Sequence, residues 1–214
     1  MRILSLEKLR QGGKFKVTFD DGVTIVVRRE VMIDFGLRRN DEFDERRLAE
    51  LKSAQTYQDA FAAAMRLLNY RMRTLAELKG RLKQKDFDPG TIERVAGKLV
   101  DLGLVDDSSF ADAFVASKIS GKPVGTRELE RKLREKGVSK EIASAAVQPV
   151  RGEGTQLRLA LSAAKKRLRS MGRLDDLKKR DRLAAFLVRR GFDWSIISKT
   201  IRQVLKGDDD AIDL

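Results

Sequence analysis

Two adjacent carboxylates, Asp106 and Asp107, followed by two serines, are the first place in this sequence to look for chemistry. Paired carboxylates can serve as general acid and base or as ligands of a hard cation. The same residue types also begin helices, because a side-chain oxygen accepts a backbone N–H of the first turn. The pair lies between Gly103, where a helix is predicted to end, and an apolar helical pattern that starts at Phe110. We therefore predict that Asp106 is a helix N-cap and that Asp107 lies at the positive end of the helix dipole. A catalytic pair, a metal site and a partner contact are the alternatives.

The rest of the sequence offers few groups for catalysis. The chain of 214 residues has no cysteine and no histidine, which removes thiol nucleophiles, the usual zinc ligands and the Ser–His and Cys–His pairs. Pro123 follows Gly121-Lys122, where a phosphate-binding loop needs Ser or Thr. These observations predict a protein that is not an enzyme and has no cofactor or metal. The missing cysteines and the lack of an 18-residue apolar run predict a cytoplasmic protein without a membrane span.

Positive charge is concentrated near the C-terminus. The formal net charge is +13. Residues 151–206 carry 16 Lys+Arg against 5 Asp+Glu, a net of +11, whereas residues 1–55 have a net of +2 and residues 56–150 a net of +4. The last eight residues, 207–214, form an acidic tail with four aspartates. A basic surface of this size indicates a polyanionic partner.

The candidate contacts with a partner or with nucleic acid are the lysines and arginines of the basic clusters. They are Arg71, Arg73, Lys79, Arg81, Lys83, Lys85, Arg127, Arg131, Lys132, Arg134, Lys136, Lys165, Lys166, Arg167, Arg169, Lys178, Lys179, Arg180, Arg189 and Arg190. We expect them on the solvent side of their helices, where lysine and arginine can bind phosphates. The alternative for each one is a charged helix face that is simply solvated.

Aromatic side chains beside the basic clusters have two possible roles. Tyr70 and Trp194 can stack on bases of single-stranded nucleic acid, but we expect both to pack inside the protein. The other aromatic residues of these segments are expected in the core. They are Phe87, Phe110, Phe114 and Phe192.

The first 56 residues are predicted to form a small module of their own. Alternating apolar residues on both sides of Asp21-Gly22 are typical of a β-hairpin, and ILSLEKL before them is a possible third strand. Two short helices should follow, the second capped by Asp44.

From residue 57 a helical pattern recurs three times. Two leucines four residues apart are followed by a basic turn, by an apolar residue five after the second leucine, and by another helix. The leucine pairs are Leu78/Leu82, Leu129/Leu133 and Leu183/Leu187. Gly137 and Gly191 can adopt the left-handed conformation that ends a helix, and Asp86 does so less readily. The sequence thus predicts a mainly α protein with three tandem three-helix repeats, at about 57–105, 106–150 and 151–206. Such repeats stack into an elongated, curved body, and we expect a monomer.

Four segments resemble, in order, the motifs of the RecX family of regulatory proteins. They are LNYRMRTLAELKGRLKQKDF, GLVDDSSFADAFVASK, GTRELERKLREKGV and LVRRGFDWSIISKTI, within residues 57–205. Asp86, in place of glycine, and the acidic tail depart from the family pattern.

The resemblance implies a function that composition alone does not. A RecX protein is expected to bind the RecA recombinase and its single-stranded DNA filament, to lie in the filament groove, and to inhibit its ATPase, strand-exchange and coprotease activities. The alternative suggested by the charge is an independent DNA-binding protein that grips a duplex with its basic helical repeats.

Overall fold

The computed structural model describes residues 1–10, 12–172 and 175–209. This part of the chain is mostly helical, with a three-stranded antiparallel sheet at its start, which confirms the predicted fold class. The strands are β1 (Ile3–Lys8), β2 (Lys14–Phe19) and β3 (Thr24–Arg28). The helices are α1 (Arg29–Asp34), α2 (Glu45–Tyr70), α3 (Leu75–Lys83), α4 (Pro89–Asp101), α5 (Asp107–Gly121), α6 (Thr126–Glu135), α7 (Lys140–Val147), α8 (Glu153–Leu168), α9 (Asp176–Arg189) and α10 (Trp194–Asp209). Residues 210–214 of the predicted acidic tail lie outside the described residues.

The chain divides into two compact units. The first contains residues 1–73 and 77–105, and the second contains residues 74–76 and the chain from Asp106 onward. The domain boundaries proposed from the sequence, at residues 56, 105, 150 and 206, remain predictions.

The N-terminal sheet has the predicted hairpin at its centre. Strands β2 and β3 pair antiparallel with Val17 opposite Ile25, and β1 pairs with the other edge of β2. Gly22 has φ +84°, the left-handed conformation that favours glycine in a tight turn. Val17, Phe19 and Val27 are buried together beneath the sheet.

Helix α2 differs from the prediction. Asp44 caps it as expected and accepts the N–H of Arg47 at 2.7 Å. The prediction of a short helix ending near residue 56 was wrong, because α2 continues to Tyr70 over 26 residues. Its sequence contains neither proline nor glycine, so nothing local ends it. Its middle is attached to β3, since Gln55 accepts the N–H of Arg28 at 2.7 Å. The helix therefore belongs to both the N-terminal module and the first repeat.

The leucine pairs form the centre of each repeat. All six leucines have no exposed surface, and they lie on the inner faces of α3, α6 and α9. The turns that follow have the predicted left-handed residues, with φ +63° at Asp86, +84° at Gly137 and +77° at Gly191. Each repeat thus contains three successive helices, α2–α4, α5–α7 and α8–α10.

The second and third repeats meet at a pair of glycines. The N–H of Gly125 donates to the carbonyl of Arg190 at 2.7 Å. A Cβ at Gly125 would lie 2.6 Å from the nitrogen of Phe192, and a Cβ at Gly191 would lie 2.5 Å from the nitrogen of Glu128. These distances are too short for non-bonded heavy atoms, so the joint requires glycine at both positions.

A similar joint occurs around residues 74–76, which belong to the second compact unit. The hydroxyl of Thr74 donates to the carbonyl of Lys136 at 2.6 Å, and a Cβ at Gly137 would overlap with that of Ala76. In both joints, the start of one repeat's second helix contacts the turn that ends the second helix of the next repeat. We call these two contacts the turn joints.

Candidate nucleic-acid interface

The acidic pair is structural, as predicted. Asp106 is the N-cap of α5, where its carboxylate accepts the N–H of Ser108 at 2.8 Å and the hydroxyl of Ser109 at 2.6 Å. These two bonds, the one from Ser109 first, hold the pKa of Asp106 below its ordinary value. The carboxylate is therefore ionised at neutral pH and acts as an anionic cap.

Asp107 has a second role that the sequence did not indicate. Its carboxylate accepts the N–H of Leu75, the first residue of α3, at 2.8 Å. The two residues are 32 positions apart in the chain, so only tertiary structure brings them together. Both carboxylates thus bind helix N-termini. Within residues 1–10, 12–172 and 175–209, no three His, Cys, Asp or Glu side chains are arranged to hold a metal ion.

Among the basic candidates, Arg73 is not on the surface. Its side chain is 8% exposed, donates to the carbonyl of Leu67 at 3.1 Å, and forms an ion pair with Glu77. Arg71 binds the same carboxylate. The hydrogen bond from Arg71, followed by the charges of both arginines, lowers the pKa of Glu77 although burial opposes it. The expectation that Arg73 faces solvent was wrong, and its guanidinium serves the fold.

Arg190 also serves the fold. It is half-buried and donates to the carbonyl of Pro123 at 3.0 Å, and its guanidinium lies 4.9 Å from the centre of the Phe186 ring. Because its backbone carbonyl accepts the N–H of Gly125, Arg190 contributes two bonds to a turn joint.

Several other candidates, exposed or half-buried, have their charge offset by a neighbouring carboxylate. Arg131 and Lys132 both contact Glu128, at 2.7 and 3.2 Å, and the bond from Arg131 is the main cause of the lowered pKa of Glu128. The other pairs are Lys79 with Glu93, Arg127 with Asp193, Lys178 with Asp175 and Lys179 with Asp176.

The remaining candidates form no ion pair with any described residue. Lys136 is half-buried near the ring of Phe114; the others are exposed. The exposed set is Arg81, Lys83, Lys85, Arg134, Lys165, Lys166, Arg167, Arg169, Arg180 and Arg189. Four of these ten lie between residues 165 and 169, at the C-terminal end of α8, where cations also complement the helix dipole.

Two of these cations, Lys165 and Arg169, border a groove in the third repeat, which we call the basic groove. It has a volume of about 470 Å³. Its polar lining residues are Lys165, Arg169, Lys179 and Gln203, and the others are Leu168, Gly172 and Val204. Helices α8, α9 and α10 supply its walls. Two unpaired cations and an amide around one groove can bind phosphate oxygens. The structure thus brings two candidates from the cluster at 165–169 together with one from the cluster at 178–182.

The two aromatic residues expected to pack are exposed instead. Tyr70 is 82% exposed and Trp194 is 66% exposed, so the packing prediction was wrong for both. Tyr70 is the last residue of α2 and Trp194 the first of α10, and a side chain at a helix end has little of its own helix to pack against. Phe110 and Phe192 are buried as predicted, whereas Phe87 and Phe114 are half-buried.

The fold and this surface define a class of protein, a tandem three-helix repeat protein whose last repeat presents unpaired cations. Models of the first, second and third three-helix domains of RecX match residues 60–99, 106–147 and 155–201. The chain belongs to the RecX family of regulatory proteins.

Individual relatives agree with this assignment. The chain is 38% identical over 142 residues to the regulatory protein RecX of Chlorobaculum tepidum, covering 66% of this chain and 86% of the relative. It is 30% identical over 193 residues to RecX of Bacillus subtilis (strain 168), covering 89% and 72%. A crystal structure of a regulatory protein RecX matches with TM-score 0.75 and 24% identity, over 93% of this chain and 98% of that one. That of RecX from Lactobacillus salivarius matches with TM-score 0.62 and 24% identity, over 70% and 97%; these two likenesses concern the fold.

None of the helices in the described part of the chain is long and apolar enough to cross a membrane.

Proposed function

We propose that this chain is a non-enzymatic regulator that binds the RecA recombinase on single-stranded DNA and inhibits its ATPase, strand-exchange and coprotease activities. The observation that carries the proposal is the cluster of unpaired cations at residues 165–169 beside the basic groove. Membership in a family of regulatory proteins supports the regulatory role. By this proposal the protein acts as a cytoplasmic monomer in the filament groove, in recombinational DNA repair and the SOS response.

The chemistry of the surface fits a partner that combines protein with nucleic acid. Lysines and arginines without an internal carboxylate can replace the counterions of phosphates, which favours binding at low salt. Exposed Tyr70 adds a flat apolar surface of the kind that stacks on unpaired bases. Ten exposed cations that form no ion pair with a described residue favour contact with a polyanion over a merely solvated surface.

The test is the ATPase rate of a preassembled RecA–single-strand filament while this protein is added. We expect inhibition below one molecule per RecA. The variant Lys165→Glu/Arg169→Glu should need at least about tenfold more protein, a loss of roughly 1.4 kcal/mol in binding. The control Arg38→Glu/Arg39→Glu changes the net charge equally at exposed residues of the N-terminal module and should behave as the wild type.

Two results would contradict the proposal. One is an ATPase rate that falls only when enough protein is present to strip the DNA. The other is an equal loss in both charge-reversed variants, which would attribute inhibition to net charge rather than to this surface.

A second candidate function is independent DNA binding, which the basic groove also favours. It predicts binding to bare DNA without RecA. A plot of the logarithm of the affinity against the logarithm of the salt concentration should then have a negative slope, of roughly 0.7 to 0.9 for each phosphate contacted. It also predicts no effect specific to the recombinase. Binding to bare DNA, measured at the salt concentration of the ATPase assay, separates the two functions.

A further inference from the structure

In the first two repeats, polar side chains bridge the second and third helices at corresponding positions. In the first repeat Lys79, one residue after the first core leucine, pairs with Glu93 at 2.6 Å. In the second repeat the equivalent of Lys79 is Glu130, which pairs with Arg151, and Arg151 also donates to Ser144 at 3.3 Å. Ser144 is the equivalent of Glu93, because each lies six residues after the apolar residue of its turn.

The third repeat has small residues at these positions and an open groove. Ala184 and Ser198 replace the bridging residues, and between α9 and α10 lies a cavity of about 580 Å³, which we call the α9/α10 groove. Its apolar lining includes Leu177, 69% exposed, and Trp194, with Leu205. Large apolar side chains exposed along one groove are typical of a surface that binds a protein partner.

Charged residues border this apolar lining. Arg180 and Arg202 line the groove, and neither forms an ion pair with any described residue. The acidic lining residues are Asp176, which is paired with Lys179, and Asp181. Unpaired guanidinium groups beside apolar surface favour a ligand that carries carboxylates next to apolar side chains.

We propose that the α9/α10 groove is a docking site for a protein segment that inserts apolar side chains beside Leu177 and Trp194 and offers carboxylates to Arg180 and Arg202. The proposal rests on the proposed function in one respect, that the recombinase filament carries the segment. Nucleic acid fits this groove less well than the basic groove, because Asp176 and Asp181 repel phosphates and half of the lining residues are apolar. By this proposal the third repeat has two separate binding surfaces: the basic groove binds phosphates, and the α9/α10 groove binds a protein segment.

The experiment compares two variants that change the net charge by the same amount. Arg180→Glu/Arg202→Glu alters the α9/α10 groove, and Lys165→Glu/Arg169→Glu alters the basic groove. Binding to RecA-coated single strands is measured by cosedimentation, and binding to bare single-stranded DNA by fluorescence anisotropy, at one salt concentration. We expect the first variant to lose at least about tenfold in filament affinity with less than a twofold change on bare DNA. The second should weaken on both.

An uncharged variant tests the apolar part. Leu177→Ala/Trp194→Ala removes two exposed side chains, so the fold should be retained, as circular dichroism would verify. It should show the same selective loss of filament affinity.

Three outcomes would overturn the inference while leaving the proposed function standing. In one, the wild type inhibits the ATPase, but both variants of the α9/α10 groove, Arg180→Glu/Arg202→Glu and Leu177→Ala/Trp194→Ala, bind the filament as tightly as the wild type. Another is an equal loss on bare DNA, which would make the groove a nucleic-acid site. The third is a shift in the emission of Trp194, the one tryptophan of the chain, in the variant Ile212→Asp/Leu214→Asp, because it would mean that the chain's own C-terminus fills the groove. If the wild type itself has no effect on the filament, the proposed function fails instead.

Discussion

Alanine substitutions at three glycines, two of them at the turn joint between the second and third repeats, separate the cost of a strained backbone from the cost of a close contact. Gly103 ends α4 with φ +65° and has open space where a Cβ would be. Gly125 has an ordinary φ of −75°, but its Cβ would lie 2.6 Å from the nitrogen of Phe192. Gly191 combines both conditions, with φ +77° and a Cβ 2.5 Å from the nitrogen of Glu128.

The expected free-energy costs follow from these geometries. Gly103→Ala should cost about 1–2 kcal/mol, the penalty of the left-handed conformation for a residue with a Cβ. Gly125→Ala should cost about 1–3 kcal/mol, the usual range for overpacking, and towards its upper end because backbone atoms must move. Gly191→Ala should cost about the sum, roughly 2–5 kcal/mol.

Urea unfolding followed by far-ultraviolet circular dichroism measures the total loss, and the emission of Trp194 follows the third repeat separately. Following both signals matters because repeats can unfold in more than one step. If Gly103→Ala and Gly191→Ala lowered the free energy of unfolding equally, the close contact between residue 191 and Glu128 would have no cost of its own, and the reasoning would be refuted. A Gly125→Ala variant as stable as the wild type would refute it as well.

Two further predictions concern charged side chains. Arg73→Ala should lower the free energy of unfolding by about 2 kcal/mol, because it removes charged hydrogen bonds from a buried site, whereas Arg81→Ala, at an exposed position, should change it by less than about 0.5 kcal/mol; equal effects would contradict the burial of Arg73. The lowered pKa of Asp106 means that its stabilising contribution is complete above its ordinary pKa, near 4, and is lost as the pH falls through its folded-state value. Asp106→Asn, which caps without ionising, should therefore be about as stable as the wild type at pH 7 and lose less stability between about pH 4 and 2. Urea unfolding at each pH measures this. If the free energies of unfolding of the two proteins fell in parallel as the pH is lowered, the effect would be disproved.

The repeat architecture could be predicted because its signals are local. Leucines four residues apart, turn residues with left-handed φ, and capping aspartates lie within a few positions of each other, and each one is where the pattern placed it. The continuity of α2 was missed. The sequence pattern of the N-terminal module ends near residue 56, but no proline or glycine ends the helix there.

The candidate site was less predictable, because it depends on which charges meet. Sequence cannot distinguish Arg73, which is buried on the carbonyl of Leu67, from Arg81, which is exposed two turns later. Arg190 is adjacent to unpaired Arg189, yet it binds Pro123, 67 positions away. The exposure of Trp194 had a usable signal, since the residue lies in the short polar step after the Gly191 turn and so begins a helix.

The turn after α3 has a consequence for the number of repeats that the chain can join. At Gly137 and Gly191 the neighbouring helix start occupies the space where a Cβ would be, whereas Asp86 holds the same left-handed conformation with a side chain in that space. A helix start from a further repeat, or from a second copy of the protein, cannot approach residue 86 as closely as the internal joints require. Head-to-tail contacts of a single kind generate open fibres when nothing stops them. With aspartate in place of glycine, the contact made at Gly137 and Gly191 cannot be repeated unchanged at residue 86, so this turn does not offer a second copy the same joint.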